Sequence, residues 1–152
     1  MKILIITYNW PPRNSIGTHR PYSWAKHWAG QGASVTVLTS EKCSFDAPLD
    51  LALPAIPGVE VVSVFYLGTR RQSLKETSDA RLPKSMAFWA VHFLKRARFV
   101  LSKALGLSID VRGRWTKPAW SHAFELMSDN QFDVVVSTYG PAAAHRVAAR
   151  LN

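Results

Sequence analysis

A single cysteine, Cys43, is all the thiol chemistry in this chain of 152 residues, so an internal disulfide and a cysteine-based metal cluster are both excluded. A reducing compartment suits such a chain, and the cytoplasm is the expected location. Acidic residues are also scarce: ten Asp and Glu stand against nineteen Lys and Arg, for a formal charge of +9. That balance favours anionic partners, among them nucleotide phosphates, nucleic acid and acidic lipid headgroups. Long apolar runs are missing, because Arg, Lys or His interrupts every stretch that approaches the ~18 residues needed to cross a bilayer. The apolar start Ile3-Leu4-Ile5-Ile6 is too short for a secretory leader and runs straight into Tyr8-Asn9-Trp10-Pro11-Pro12, with no small-residue cleavage pattern. Two phosphate-binding fingerprints are absent as well. Without G-x-G-x-x-G a dinucleotide-dependent dehydrogenase loses its main support, and without G-x-x-x-x-G-K-[ST] a P-loop enzyme does too. Nucleic-acid binding has only the charge in its favour, with no motif and no interleaved stacking platform, so nucleic acid is not an expected partner.

What is present is the material of one packed domain over residues 1–152: 47% apolar and 19% charged. Lys2 to Thr7 is a β-branched apolar run, the pattern of a parallel strand buried on both faces. A loop from Tyr8 to Gly17 follows, then a helix from about Thr18, a candidate N-cap, to Ala29, with Tyr22, Ala25, Trp28 and Ala29 at helical spacing. Pro21 is expected in its first turn, and Gly30 and Gly32 offer left-handed conformations to stop it. Ser34 to Thr39 reads as the second strand and completes a β-α-β unit. Val59 to Phe65 reads as a third strand after a Pro-rich excursion, Cys43 to Gly58. Asp133 to Ser137 reads as a fourth, followed by Thr138-Tyr139-Gly140-Pro141 and a helix from about Ala142 to Leu151. Between the third and fourth strands the spacing predicts a long helix, Pro83 to Leu105, and a shorter one, Lys117 to Ser128. Alternating strands and helices predict an α/β fold with a doubly wound, mainly parallel, Rossmann-like sheet.

In such sheets ligands bind beyond the carboxyl ends of the strands, where the strand order reverses. Two loops should meet there, Tyr8 to Gly17 and Ser137 to Pro141. Gly17 at a helix N-terminus suits a phosphate, because free backbone N–H groups and the helix dipole face it, and Arg13, His19 and Arg20 lie nearby in sequence. The competing reading is that Gly17 permits a tight turn and the basic side chains are merely solvated. His145, about one turn into the helix after Pro141, is a candidate for hydrogen-bonding a substrate or assisting proton transfer, although no carboxylate orienter is visible for it. Its alternative is a half-buried structural histidine. Ser137 and Thr138 can donate hydrogen bonds, but no nucleophile elbow or triad accompanies them. The long helix is acid-free from Ala80 to Ile109. Opposite its core stripe, Phe88 and Phe99 alternate with Lys95 and Lys103, a mixture suited to an anionic membrane interface or to a solvated basic face.

The order and spacing of Ile6-Thr7-Tyr8-Asn9-Trp10-Pro11-Pro12, Ile16-Gly17-Thr18-His19-Arg20-Pro21, Trp24-Ala25-Lys26 and Gly32 to Thr39 resemble the amino-terminal domain of family 4 glycosyltransferases of the GT-B fold. Asp133 to Ser137, with Tyr139-Gly140-Pro141 and His145, also looks like that family's strand and following helix. The resemblance covers nearly the whole chain, more weakly from Glu41 to Pro118. It implies the N-terminal half of a GT-B fold and a retaining transferase that moves a sugar from a nucleotide-sugar to an acceptor held mainly by this domain. It further implies no cofactor besides the nucleotide-sugar co-substrate and no catalytic metal, and the chain indeed contains no D-x-D carboxylate pair. The family's donor-phosphate loop maps onto Ile16 and Gly17, with Ile16 where many members have a first glycine. By their place in the two loops, and not by the resemblance, Arg13, His19, Arg20, Thr138, Tyr139 and Gly140 are candidates for the acceptor or ligand side, and His145 is the catalytic candidate.

Members of the family continue into a second domain with most of the donor site and a spaced pair of glutamates. Glu41, Glu60, Glu76 and Glu125 do not reproduce that pair. The expectation is therefore an incomplete catalytic unit, whose partners are a nucleotide-sugar, a sugar or lipid-linked acceptor, a C-terminal domain and an anionic membrane surface at the inner face of the plasma membrane. The alternative is a non-catalytic Rossmann-like module that binds a nucleotide, phosphate or protein.

Overall fold

The computed structural model describes residues 1–42, 47–66 and 111–151. Strand β1 is Lys2–Ile6, helix α1 Ile16–Gly30, strand β2 Ser34–Ser40 and strand β3 Val59–Val64. A 3-10 turn at Val111–Trp115 leads into helix α2, Thr116–Asp129, followed by strand β4, Val134–Ser137, and helix α3, Ala143–Ala148. All strand pairs are parallel, in the order β3-β2-β1-β4. The chain is thus an α/β protein with a four-stranded parallel sheet and a Rossmann-like arrangement.

The unbroken apolar run of β1 is explained by its central place. Side chains alternate across a strand, so Leu4 and Ile6 enter one core while Ile3 and Ile5 enter the other. The first core is closed by Trp115, Ala119 and Ala123 around α2 and by Ala143, Ala144 and Val147 of α3. The second is closed by α1 through Ala25, with Tyr22, Trp24, Trp28 and Ala29 packed around it. Full burial of one such Leu or Ile contributes about 1.5–3 kcal/mol, so a polar substitution in β1 weakens both layers at once. Register places Ile3 beside Val35 and Val134, and Ile6 beside Leu38 and Ser137. The strand ends of β1 and β4 are therefore level.

Several local details depart from the expectation. Ser15, not Thr18, is the N-cap of α1: its backbone is extended, and its carbonyl accepts the Thr18 N–H at 3.0 Å. The Thr18 hydroxyl instead donates to the Arg13 carbonyl at 2.9 Å and lies 3.0 Å from Ser15 Oγ, tying the loop to the helix it feeds. With the start moved forward, Pro21 falls in the second turn, where its missing N–H leaves the Gly17 carbonyl without its helical donor. Gly30 stays helical, and Gly32, at φ +81, makes the left-handed turn that Cβ-bearing residues resist. Regular helix in α3 stops at Ala148, and the Arg150 and Leu151 N–H groups make tighter bonds to Val147 and Ala148.

The described part of the Pro-rich stretch is docked on the first loop. Asn14 N–H donates to the Pro48 carbonyl at 2.8 Å and Leu51 N–H to the Pro12 carbonyl at 3.0 Å, while Asn14 Nδ2 reaches Asp50 Oδ1 at 2.9 Å. The Tyr22 hydroxyl donates to the Pro54 carbonyl at 2.8 Å. Cys43 and the predicted helix Pro83 to Leu105, with Phe88, Lys95, Phe99 and Lys103, lie outside the described residues. Among the described residues no helix is long and apolar enough to cross a membrane.

Candidate functional site

β1 has β2 on one side and β4 on the other, so the chain order reverses at β1. The loops that leave β1 and β4 at their carboxyl ends consequently stand side by side, which is where open parallel sheets form ligand crevices. Hydrogen bonds join them. Thr138 N–H donates to the Ile6 carbonyl at 3.2 Å, and its hydroxyl donates to Thr7 Oγ1 at 2.8 Å. The Thr7 hydroxyl in turn donates to the Asn9 carbonyl at 3.0 Å. Thr7 and Thr138 are both buried, and this relay satisfies polar groups that would otherwise be costly there.

Asn9 links the two glycines. Its Nδ2 donates to the Gly140 carbonyl at 2.6 Å, and the same amide lies under Gly17. A Cβ built on Gly17 would sit 2.5 Å from Asn9 Nδ2, closer than real Cβ atoms approach, and a tight 3.2 Å from Asn9 Cγ. Glycine at 17 is thus favoured by the protein's own packing, because a larger residue would have to displace the Asn9 side chain from its bond to Gly140, independently of any ligand. Gly140 is favoured for a different reason, its φ of +100. Asn9 escaped the sequence reading, although a lone amide within Tyr8-Asn9-Trp10-Pro11-Pro12, where a buried strand ends, was the available signal.

The other anticipated residues separate into two groups. Arg13 is not a solvated cation: it is only 5% exposed, and its guanidinium lies 5.2 Å from the centroid of the Tyr8 ring. Ile16, at the head of α1, is 94% exposed, and His19 and Arg20 are exposed on the first turns of the helix. No acidic residue occupies that first turn, so the positive end of the α1 dipole is not offset from within the helix. Across the crevice Tyr139 is 74% exposed. Its ring lies 5.8 Å from that of His145, with 30° between the planes. His145 does have an orienter, but a hydroxyl and not a carboxylate: Ser137 Oγ lies 2.6 Å from His145 Nδ1.

Behind the first loop is a basic aromatic cluster that the sequence did not announce. Tyr8 is buried, its hydroxyl 2.6 Å from that of Tyr66, and its ring meets Trp115 edge-on at 5.7 Å. Lys42 Nζ donates to the Tyr8 carbonyl at 2.9 Å, the Ser40 carbonyl at 2.7 Å and Thr39 Oγ1 at 2.8 Å. Lys42 and Arg112 both lie 5.9 Å from the Tyr8 centroid. A lysine two residues beyond a strand is common in surface turns, so nothing local marked Lys42 as the group that gathers strand-end carbonyls. In comparisons with known proteins, no family model, no curated protein and no solved structure matches this chain.

Proposed function

We propose that this chain is the amino-terminal, acceptor-side domain of a retaining, metal-independent glycosyltransferase of the GT-B type, acting in envelope or exopolysaccharide assembly. The observation that carries the reading is the meeting of Gly17, at the head of α1, with the β4 loop at the reversal of strand order, where Asn9 bridges Gly17 and Gly140. A sugar nucleotide would present its diphosphate to the amino end of α1, where backbone N–H groups and the helix dipole favour negative charge. His19 and Arg20 would add positive charge beside it. The acceptor would lie toward Thr138, Tyr139 and Gly140, with His145 in reach of the reacting hydroxyl. Most of the donor's nucleotide falls, on this reading, to a second domain outside these residues, and the 152 residues alone are expected to be inactive.

The test is transfer or donor hydrolysis by the full-length gene product across a panel of nucleotide-sugars. Turnover with one donor, without added metal, is the expected result. Binding of nucleotide with no turnover for any donor would instead establish the module reading, in which the crevice recognises phosphate without chemistry.

A further inference from the structure

We propose that Ser137 is a positioning residue that holds His145 in a single tautomer, with its proton on Nε2, and that this N–H and the exposed face of Tyr139 form a subsite for an uncharged, hydroxyl-bearing ring. The first half rests on geometry alone. The hydroxyl and Nδ1 are 2.6 Å apart, a short contact that leaves two choices. If Nδ1–H donated to Ser137 Oγ, the serine hydrogen would have to turn to solvent, because among the described residues the Ser137 side chain has no second hydrogen-bond partner. If the serine donates, its only hydrogen is used, Nδ1 accepts, and the neutral imidazole carries its hydrogen on Nε2. His145 then offers a donor from Nε2 and cannot act there as a base without changing tautomer.

The second half rests on the glycosyltransferase reading. The functional groups that converge here are a hydroxyl, a phenol ring and an imidazole, whereas the cations Arg13, Lys42 and Arg112 gather around Tyr8. A phosphate would be served by the charged groups and by the head of α1. A neutral ring with C–H groups on one face and hydroxyls at its edge matches an aromatic face beside a single N–H donor. The ligand class that fits is the acceptor's sugar ring, and the two exposed rings divide the work between them. Tyr139, on the loop, covers the apolar face, and His145, on α3, donates to a hydroxyl oxygen.

The experiment is imidazole 15N NMR on the chain labelled at histidine, above the ordinary histidine titration range, with His145 assigned through His145→Gln. Expected are a protonated Nε2 and an unprotonated Nδ1, loss of that bias in Ser137→Ala, and its return in Ser137→Thr, which keeps a hydroxyl. A protonated Nδ1 in the parent chain, or a bias unchanged by Ser137→Ala, overturns the positioning role whatever the protein's function is. Titration with methyl glucoside, methyl galactoside and inorganic phosphate then tests the ligand. Shifts of the His145 imidazole nitrogens with a glycoside, but not with phosphate, are expected, and their loss in Tyr139→Ala. Shifts there with phosphate alone, or with none of the three, overturn the sugar subsite while leaving the tautomer result intact.

Discussion

The two loops at the strand reversal are built on opposite plans. In the first, Tyr8, Asn9, Trp10 and Arg13 are all buried, and Asn14 is pinned by the Pro48 carbonyl and Asp50. In the second, Thr138 is buried as an anchor while Tyr139 stands 74% exposed. One loop spends its large side chains on packing and the other presents them. A side chain close to a ligand crevice is therefore not by that fact a ligand group: Arg13 is near the crevice and serves the Tyr8 stack, whereas Tyr139 has almost no structural obligation. Mutations in the first loop should register mainly in stability, and those in the second mainly in binding.

The contrast breaks most visibly at Tyr8. Tyr8→Ala removes a buried ring between Tyr66 and Trp115, and a loss of about 3–5 kcal/mol is expected in urea unfolding of the chain. A loss under about 1 kcal/mol, the range of ordinary surface substitutions, would mean the first loop is no scaffold. Next in size is Gly17→Ala, which drives a methyl group into the Asn9 amide and should cost about 1–3 kcal/mol as an overpacking change. The added substitution Asn9→Ala should recover part of that loss, so the pair should be strongly non-additive in a double-mutant cycle. Additive losses would place the demand for glycine elsewhere. This cycle also sharpens any binding test at Gly17, since a variant there perturbs the loop before any ligand arrives.

Asn9→Ala alone removes one hydrogen bond between the loops and should cost about 0.5–1.5 kcal/mol in the same melts. Smallest is Tyr139→Ala, expected to shift stability by no more than about 0.5 kcal/mol while weakening methyl glycoside binding at the proposed subsite. A large stability loss there would erase the division between the loops. Outside the described residues, the basic aromatic segment with Phe88, Lys95, Phe99 and Lys103 predicts flotation with anionic liposomes that weakens as salt is added. No flotation even at low salt would refute peripheral membrane attachment.

The elements that were legible are those whose signal is local. Ile3-Leu4-Ile5-Ile6 and Val134-Val135-Val136 carry strand character in every few residues, and Gly32 marks a turn that few other residues can make. Helix boundaries were less legible at α1, because the choice between Ser15 and Thr18 as cap depends on which carbonyl the threonine hydroxyl finds. Of the candidate site, Gly17, Tyr139, Gly140 and His145 could be named from their positions after strands. The Asn9 bridge, the Lys42 cluster and the Ser137 contact with His145 could not, since hydrogen bonds between side chains brought together by folding leave no periodic trace.

Taken by itself, the sequence determined that this chain would build a parallel sheet with helices on both faces and two loops at one edge. Hydrophobic periodicity and turn residues suffice for that, because they act between near neighbours. Only the tertiary structure decided what each loop is for. Burial is a property of the assembled layers, and it turned Arg13 inward onto Tyr8, set Asn9 against Gly17 and left Tyr139 and His145 exposed side by side.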